Sequence, residues 1–130
     1  MAKQNDDFLK KLRSTFRIEA DEHLKAMSAG LIELEKNPAA DRCAEIIEIV
    51  FREVHSLKGA ARAVSLKEIE SICQPLESVF AALKSKKLAL SQPLFDLLHQ
   101  TVDALGGLLV ADAGTLESRQ GIFAPLVRRL

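Results

Sequence analysis

Val54-His55-Ser56-Leu57-Lys58-Gly59-Ala60-Ala61-Arg62-Ala63 is the stretch from which the rest of the chain can be read. Its surroundings have helical periodicity, yet it contains a glycine, which costs about 1 kcal/mol against alanine in a helix interior. Alanine is the best helix former, so the alanines say little, and Gly59 carries the weight. A nearly bare backbone beside one histidine and one lysine predicts that another protein's active site must come close to His55.

The flanking pattern places that histidine. At about 100° per residue, Ile47, Val50, Phe51, Val54, Leu57, Ala61 and Val64 fall on one stripe. His55 lies about 110° from the centre of the stripe, on the flank of the helix and not in the core. Lys58 at i+3 and Gly59 at i+4 share its surface, and Arg62 follows two turns on. Neutral imidazole is a nucleophile near neutral pH. A lysine ammonium is a compact charge for phosphate oxygens. A lone flank histidine is ordinarily a solvated residue. This one has a cation and an uncovered backbone beside it, which suits an imidazole that carries and presents a phosphoryl group.

His55-Ser56-Leu57-Lys58-Gly59-Ala60-Ala61 resembles the signature of histidine phosphotransfer (HPt) domains, in particular the N-terminal phosphotransfer domain of CheA-type chemotaxis kinases. The likeness extends from about Phe8 to about Leu109 through the order and length of the helices. It implies an all-α fold, an antiparallel four-helix bundle with an additional short C-terminal helix. It also implies that His55 is phosphorylated on Nε2 and that a glutamate of the next helix bonds the histidine, a position matched by Glu77. Two residues depart from the family pattern. Gln74 stands where a histidine is common, and Ser65 where glycine is common.

Composition bounds the remaining possibilities. The chain has 130 residues with 18 Lys plus Arg and 18 Asp plus Glu, enough for one domain with a real core and no net charge. That balance argues against nucleic-acid or membrane-surface binding, both of which need a basic excess. No apolar run approaches the ~20 residues of a membrane span. The first residues hold no apolar signal core, which predicts a cytoplasmic protein. Cys43 and Cys73 are too few for a disulfide framework and read as reduced thiols, Cys73 in the core. Strand-type alternation is absent, as an all-α domain requires. The reading is a single domain over 1–130, with its bundle at about 6–110 and a C-terminal helix or linker at about 115–130.

The first helix is expected from Asn5 or Asp6 to about Lys36, with Phe8, Leu12, Phe16, Leu24, Met27, Leu31 and Leu34 facing inward. Asp6 and Asp7 suit its N-terminus, and Asn37-Pro38 ends it. His23, among Glu19, Asp21 and Glu22, reads as a surface histidine. The second helix is expected from Asp41, as N-cap, to about Val64. Ser65-Leu66-Lys67-Glu68 fits a capping box, so a third helix follows at once, antiparallel to the second. Its inner stripe is Ile69, Ile72, Cys73, Leu76, Val79, Phe80 and Leu83, with Glu77 about 110° off its centre. His55 and Glu77 lie ten and twelve residues from Ser65, hence at nearly one height along the hairpin. The pattern leaves open whether they share a groove or face apart. Pro75, an interior proline, is expected to kink this helix. Lys84-Ser85-Lys86-Lys87 reads as a solvated last turn. Ser91 and Pro93 open a fourth helix whose inner face is Leu94, Leu97, Leu98, Val102, Leu105, Leu108 and Leu109. Gly114 is expected to stop it.

No glycine-rich nucleotide loop and no zinc spacing is present, so this domain is expected to bind no cofactor and no metal and to catalyse nothing alone. Asp96-Leu97-Leu98-His99 has the i, i+3 geometry of half a di-metal bundle site, without a second such pair. The partners implied are a histidine kinase catalytic domain, in cis or in trans, that holds ATP and Mg²⁺, and a response-regulator receiver domain. The candidate site is His55 as phosphoacceptor, Glu77 orienting it and Lys58 contacting the phosphoryl group. Ser56, Gly59, Ala60, Arg62 and Gln74 form the docking surface, together with an exposed apolar patch. The domain itself is expected to be monomeric. The alternative is a helical interaction or dimerisation module in which His55 is incidental.

Overall fold

The computed structural model describes residues 2–110, with side chains from Asp7 onward. They form α1 (Ala2–Glu35), α2 (Ala40–Ala63), α3 (Lys67–Lys84) and α4 (Gln92–Val110). The helices pack as α1 on α2, α2 on α3 and α4 on α1, with a lighter contact between α3 and α4. Short connections make consecutive helices antiparallel. Among the described residues there is no strand, and no helix is long and apolar enough to cross a membrane. The helix or linker expected at about 115–130, and the stop at Gly114, lie outside the described residues.

The apolar stripes build the core. Every residue of the α3 stripe is buried, and the α2 stripe is buried except for Phe51, which packs partly against it; Ile46 joins them. Each fully buried Leu, Ile or Phe contributes about 1.5–3 kcal/mol. On α4, Leu98, Val102, Leu105, Leu108 and Leu109 are buried as expected, whereas Leu94 and Leu97 are only half-buried. Phe95 and Thr101, which the periodicity did not single out, take core positions instead. The buried Thr101 hydroxyl donates to the Leu97 carbonyl at 2.8 Å, so it enters the core satisfied.

Three expectations about α1 and α2 need correction. Phe8 is 65% exposed and Leu12 is also exposed. Arg13 donates to the Val64 carbonyl at the end of α2, so the helix before it projects past the helices that would cover it. Because α1 starts at Ala2, Asp6 and Asp7 fall beyond its first turn. The N-cap of α2 is Ala39 in extended conformation, with no side-chain cap bond, and Asp41 sits in the first turn, where its charge suits the dipole.

The α2–α3 turn is not a capping box. Ser65 adopts φ 62°, the left-handed region. The Leu66 N–H donates to the Ala61 carbonyl at 2.9 Å and the Ser65 N–H to the Arg62 carbonyl at 3.1 Å. This Schellman motif satisfies the last carbonyls of α2. It explains why glycine suits this position and what serine must tolerate there. The end of α3 repeats the motif with Lys86 at φ 63°, and Asn37 at φ 55° closes α1. Ser91 caps α4 as expected, its hydroxyl oxygen accepting from the Leu94 N–H at 3.3 Å. Pro75 sits inside α3, which continues past it from Lys67 to Lys84.

One glycine that no motif or spacing singles out sets the α1–α2 distance. A Cβ on Gly30 would stand 2.5 Å from Cγ2 of the buried Val50. The absence of that atom is what lets the two helices approach.

Candidate functional site

The hairpin of α2 and α3 brings His55 and Glu77 into one groove. Nδ1 of His55 lies 3.0 Å from Oε2 of Glu77. The imidazole is 65% exposed and the carboxylate 18%, so the ring faces solvent while its anchor sits in the wall beneath it. With Glu77 ionised, the bond requires a proton on Nδ1, which in the neutral ring leaves the lone pair on Nε2. The proline two residues before Glu77 has not turned it away.

Lys58 reaches across to α3. Its Nζ lies 2.9 Å from the same Glu77 oxygen and donates to Oε1 of Gln74 at 3.1 Å. Its side chain is only 12% exposed. Lys58 is thus held on α3, beside the carboxylate that His55 also meets. Gln74 is exposed and receives Lys58. Burial pushes the Glu77 carboxyl up, but the bonds from Lys58 and then His55 outweigh it and hold it below the usual carboxylate range. The carboxylate therefore stays ionised as the acceptor that His55 needs.

The remaining expected surface residues divide. Ser56 and Gly59 are exposed, and a Cβ on Gly59 would meet nothing within 4 Å, so the ground beside His55 is open. Ala60 is half-buried against the core and belongs to packing. Arg62 crosses to α3 and pairs with Glu70 at 2.5 Å. Among the described residues, the apolar side chain one turn from His55 on α2 is the half-buried Phe51, and no large exposed one joins it to make the expected patch. The large exposed apolar residues of the described helices are Phe8, Leu12, Ile18, Ile32, Ile49 and Val110, with Leu88 in the α3–α4 connection. None lies within one turn of His55 on its own face.

The other two histidines also have carboxylate partners that helical spacing could not show, because the partners lie on other helices. Nδ1 of His23 pairs with Glu53 of α2 at 2.5 Å, and Nε2 of His99 bonds Glu35 of α1. Asp96 accepts from Gln92 at 2.9 Å, so the Asp96–His99 pair is committed to structural contacts. Cys73 is buried, and burial pushes its thiol up to about 12, with Glu77 adding to the effect.

A four-helix bundle that presents one solvent-facing imidazole, oriented by a carboxylate of the neighbouring helix, defines a narrow class of protein. The sequence model of the Hpt domain matches residues 11–107, and the chain belongs to that family. It is 33% identical over 100 residues to the chemotaxis protein CheA of Cereibacter sphaeroides, covering 77% of this chain and 15% of that protein. Against CheA of Listeria monocytogenes the identity is 28% over 80 residues, covering 62% and 12%. The chain thus spans about one-seventh of the length of these curated relatives. Among solved structures, the CheA phosphotransferase domain from Thermotoga maritima superposes with a TM-score of 0.70 at 28% identity, covering 78% of this chain and 92% of that one. The phosphorylated P1 domain of CheA3 in complex with CheY6 from R. sphaeroides superposes at 0.74 and 23% identity, covering 92% and 94%, and shares the fold.

Proposed function

We propose that this domain is the histidine relay of a CheA-like two-component system. His55 accepts a phosphoryl group from an ATP-bound histidine kinase domain and passes it to an aspartate of a receiver domain. The observation that carries the reading is the Nδ1–Glu77 bond under an exposed ring. The same logic orients other reactive or metal-bound histidines, where a carboxylate fixes the tautomer and raises basicity. Membership of the Hpt family supports it independently.

In the first half-reaction Nε2 attacks the γ-phosphorus of ATP in line; the P–N bond forms as the bond to ADP breaks. ATP and Mg²⁺ belong to the kinase domain. As the ring gains positive charge, Glu77 lies against the Nδ1–H that shares it, and Lys58, itself bonded to Gln74, keeps Glu77 in place. In the second half-reaction a receiver carboxylate attacks the same phosphorus and the P–N bond breaks, with the electron pair returning to Nε2. Gly59 and Ser56 let the receiver come close. Such a transient contact falls at the small end of interface sizes, below about 1,200 Å². The relay acts in the cytoplasm, and the domain works as a monomer.

The test pairs the domain with a CheA kinase core that lacks its own phosphotransfer domain, and with radiolabelled ATP. Acid-labile, alkali-stable label on the domain, chased off by a receiver, is the expected result. A domain that stays unlabelled beside an active kinase core contradicts the reading.

A further inference from the structure

The surface around His55 is not symmetric. Toward the α2–α3 turn it is bare at Gly59, and beyond that Arg62 is tied to Glu70. Away from the turn it rises. Phe51, one turn before His55, is half-buried, and the ammonium of Lys84 lies 5.1 Å from its ring centroid. That ammonium also pairs with Oε2 of Glu48 at 2.6 Å, while Oε1 of Glu48 accepts from Arg52 at 2.9 Å. One carboxylate therefore serves two cations. Lys86 and Lys87, both exposed, follow at the end of α3, and the next carboxylate along α2, Glu45, is engaged by Arg42. Asp41, in the first turn of α2, lines the same groove as Lys84 and Lys86, so against Lys84, Arg52, Lys86 and Lys87 stand Glu48 and Asp41, and this side of the site keeps a local positive excess on a chain whose net charge is zero.

The excess is within reach of any protein that touches His55. Lys84 is seven residues beyond Glu77 on α3, about 10 Å along the helix. A transient contact of about 600 Å² per partner has a radius of about 14 Å, so a receiver centred on His55 covers Lys84. On the turn side the paired cation is Arg62, held by the Glu70 carboxylate alone. The Lys84 side offers a half-exposed cation that is aimed by an aromatic ring and a carboxylate. Rim charges of this kind govern encounter and partner choice more than the chemical step.

Resting on the phosphotransfer reading above, we infer that the Lys84–Glu48 pair over Phe51 is the element by which this domain selects its receiver, and that the receiver it fits carries an acidic patch about two helical turns from its phosphoacceptor aspartate. Lys84 is a specificity determinant and takes no part in the transfer itself.

The experiment loads the domain with phosphoramidate, a small donor that needs no docking. It then measures single-turnover transfer over a range of concentrations of each receiver domain encoded in the genome that supplies the chain. With the receiver that accepts fastest, Lys84→Glu raises the half-saturating concentration about tenfold or more and leaves the saturated rate within about twofold. Lys84→Gln shifts it less, in the same direction. The gap narrows in about 0.5 M salt, as screening requires. Lys25→Glu, the same charge change on α1 in the α1–α4 groove, is the control and stays near wild type. An unchanged half-saturation in Lys84→Glu, or an equal rise in Lys25→Glu, overturns the inference. A wild-type domain that is not loaded at His55, or whose phosphoryl group no receiver takes, overturns the phosphotransfer reading itself.

Discussion

Nδ1 of His55 and Oε2 of Glu77 meet 3.0 Å apart across the α2–α3 seam, and the same carboxylate oxygen holds Lys58 at 2.9 Å. One buried-side oxygen therefore sets both the tautomer of the ring and the position of the lysine. Removing it acts on reactivity before it acts on folding, because the core lies on the other face of both helices. Glu77→Ala is expected to slow phosphorylation of His55 about 10- to 100-fold, by analogy with the loss when the supporting partners of metal-bound histidines are removed. Initial rates of labelling, read beside thermal melts, check this. Because the folded carboxyl titrates below its ordinary 4.5, its contribution to stability is complete above about pH 5 and is lost as the pH falls through the lower folded value. Acid unfolding of Glu77→Gln lacks that portion.

Two glycines in α1 and α2 have opposite surroundings, and alanine separates them. Gly30→Ala forces a Cβ to within 2.5 Å of the buried Val50, a β-branched side chain that cannot swing aside. The expected loss is about 1–3 kcal/mol, outweighing the gain in helix propensity. Gly59→Ala adds a Cβ to open space and is expected to stabilise by about 0.5–1 kcal/mol. Urea denaturation of the two variants beside wild type should move the midpoints in opposite directions.

Ser65 holds a left-handed φ of 62° at the end of α2. That conformation costs a side-chain-bearing residue about 1–2 kcal/mol, part of which glycine would return as unfolded-state entropy. Ser65→Gly should therefore raise the melting temperature, corresponding to a net gain of up to about 1 kcal/mol, with the Schellman bonds intact. A lowered melting temperature would mean that the serine hydroxyl contributes something the geometry does not reveal.

The two thiols are distinguishable without mutation. Cys43 is half-exposed and Cys73 is buried, with its thiol pushed up to about 12. At pH 8 a thiol reagent should modify one cysteine in the native protein and both once it is unfolded. Because the unfolded thiol ionises near 9.0 and the folded one near 12, stability should also decline as the pH rises above about 9.

Much of this architecture is written in apolar spacing, and the parts that are not have physical reasons. The α3 stripe reads in full because a helix buried along one face must repeat at 3.6 residues, and Ser91 reads as a cap because its hydroxyl acts on its own first turn. His55 and Glu77 could be set at one height by counting from the turn, but their shared groove depends on how α2 and α3 rotate against each other. Ser65 looked like a cap because Glu68 follows it at the right spacing; only the backbone angle reveals a helix ending there. The contacts of Lys58 with Glu77 and Gln74, and those of His23 and His99 with Glu53 and Glu35, are not legible in helical spacing because each partner comes from another helix. Phe8 and Leu12 continue a real stripe past the point where the other described helices cover it.

The central claim concerns one atom, Nε2 of His55, and the direct measurement is where phosphate resides. After labelling by the kinase core, mass spectrometry of alkaline digests and ³¹P–¹H correlation on the intact domain should place phosphate on His55 at Nε2. His23 and His99 should carry none, and His55→Gln should fold and remain unlabelled. Phosphate on either of the other histidines, or undiminished labelling of His55→Gln, would contradict the account.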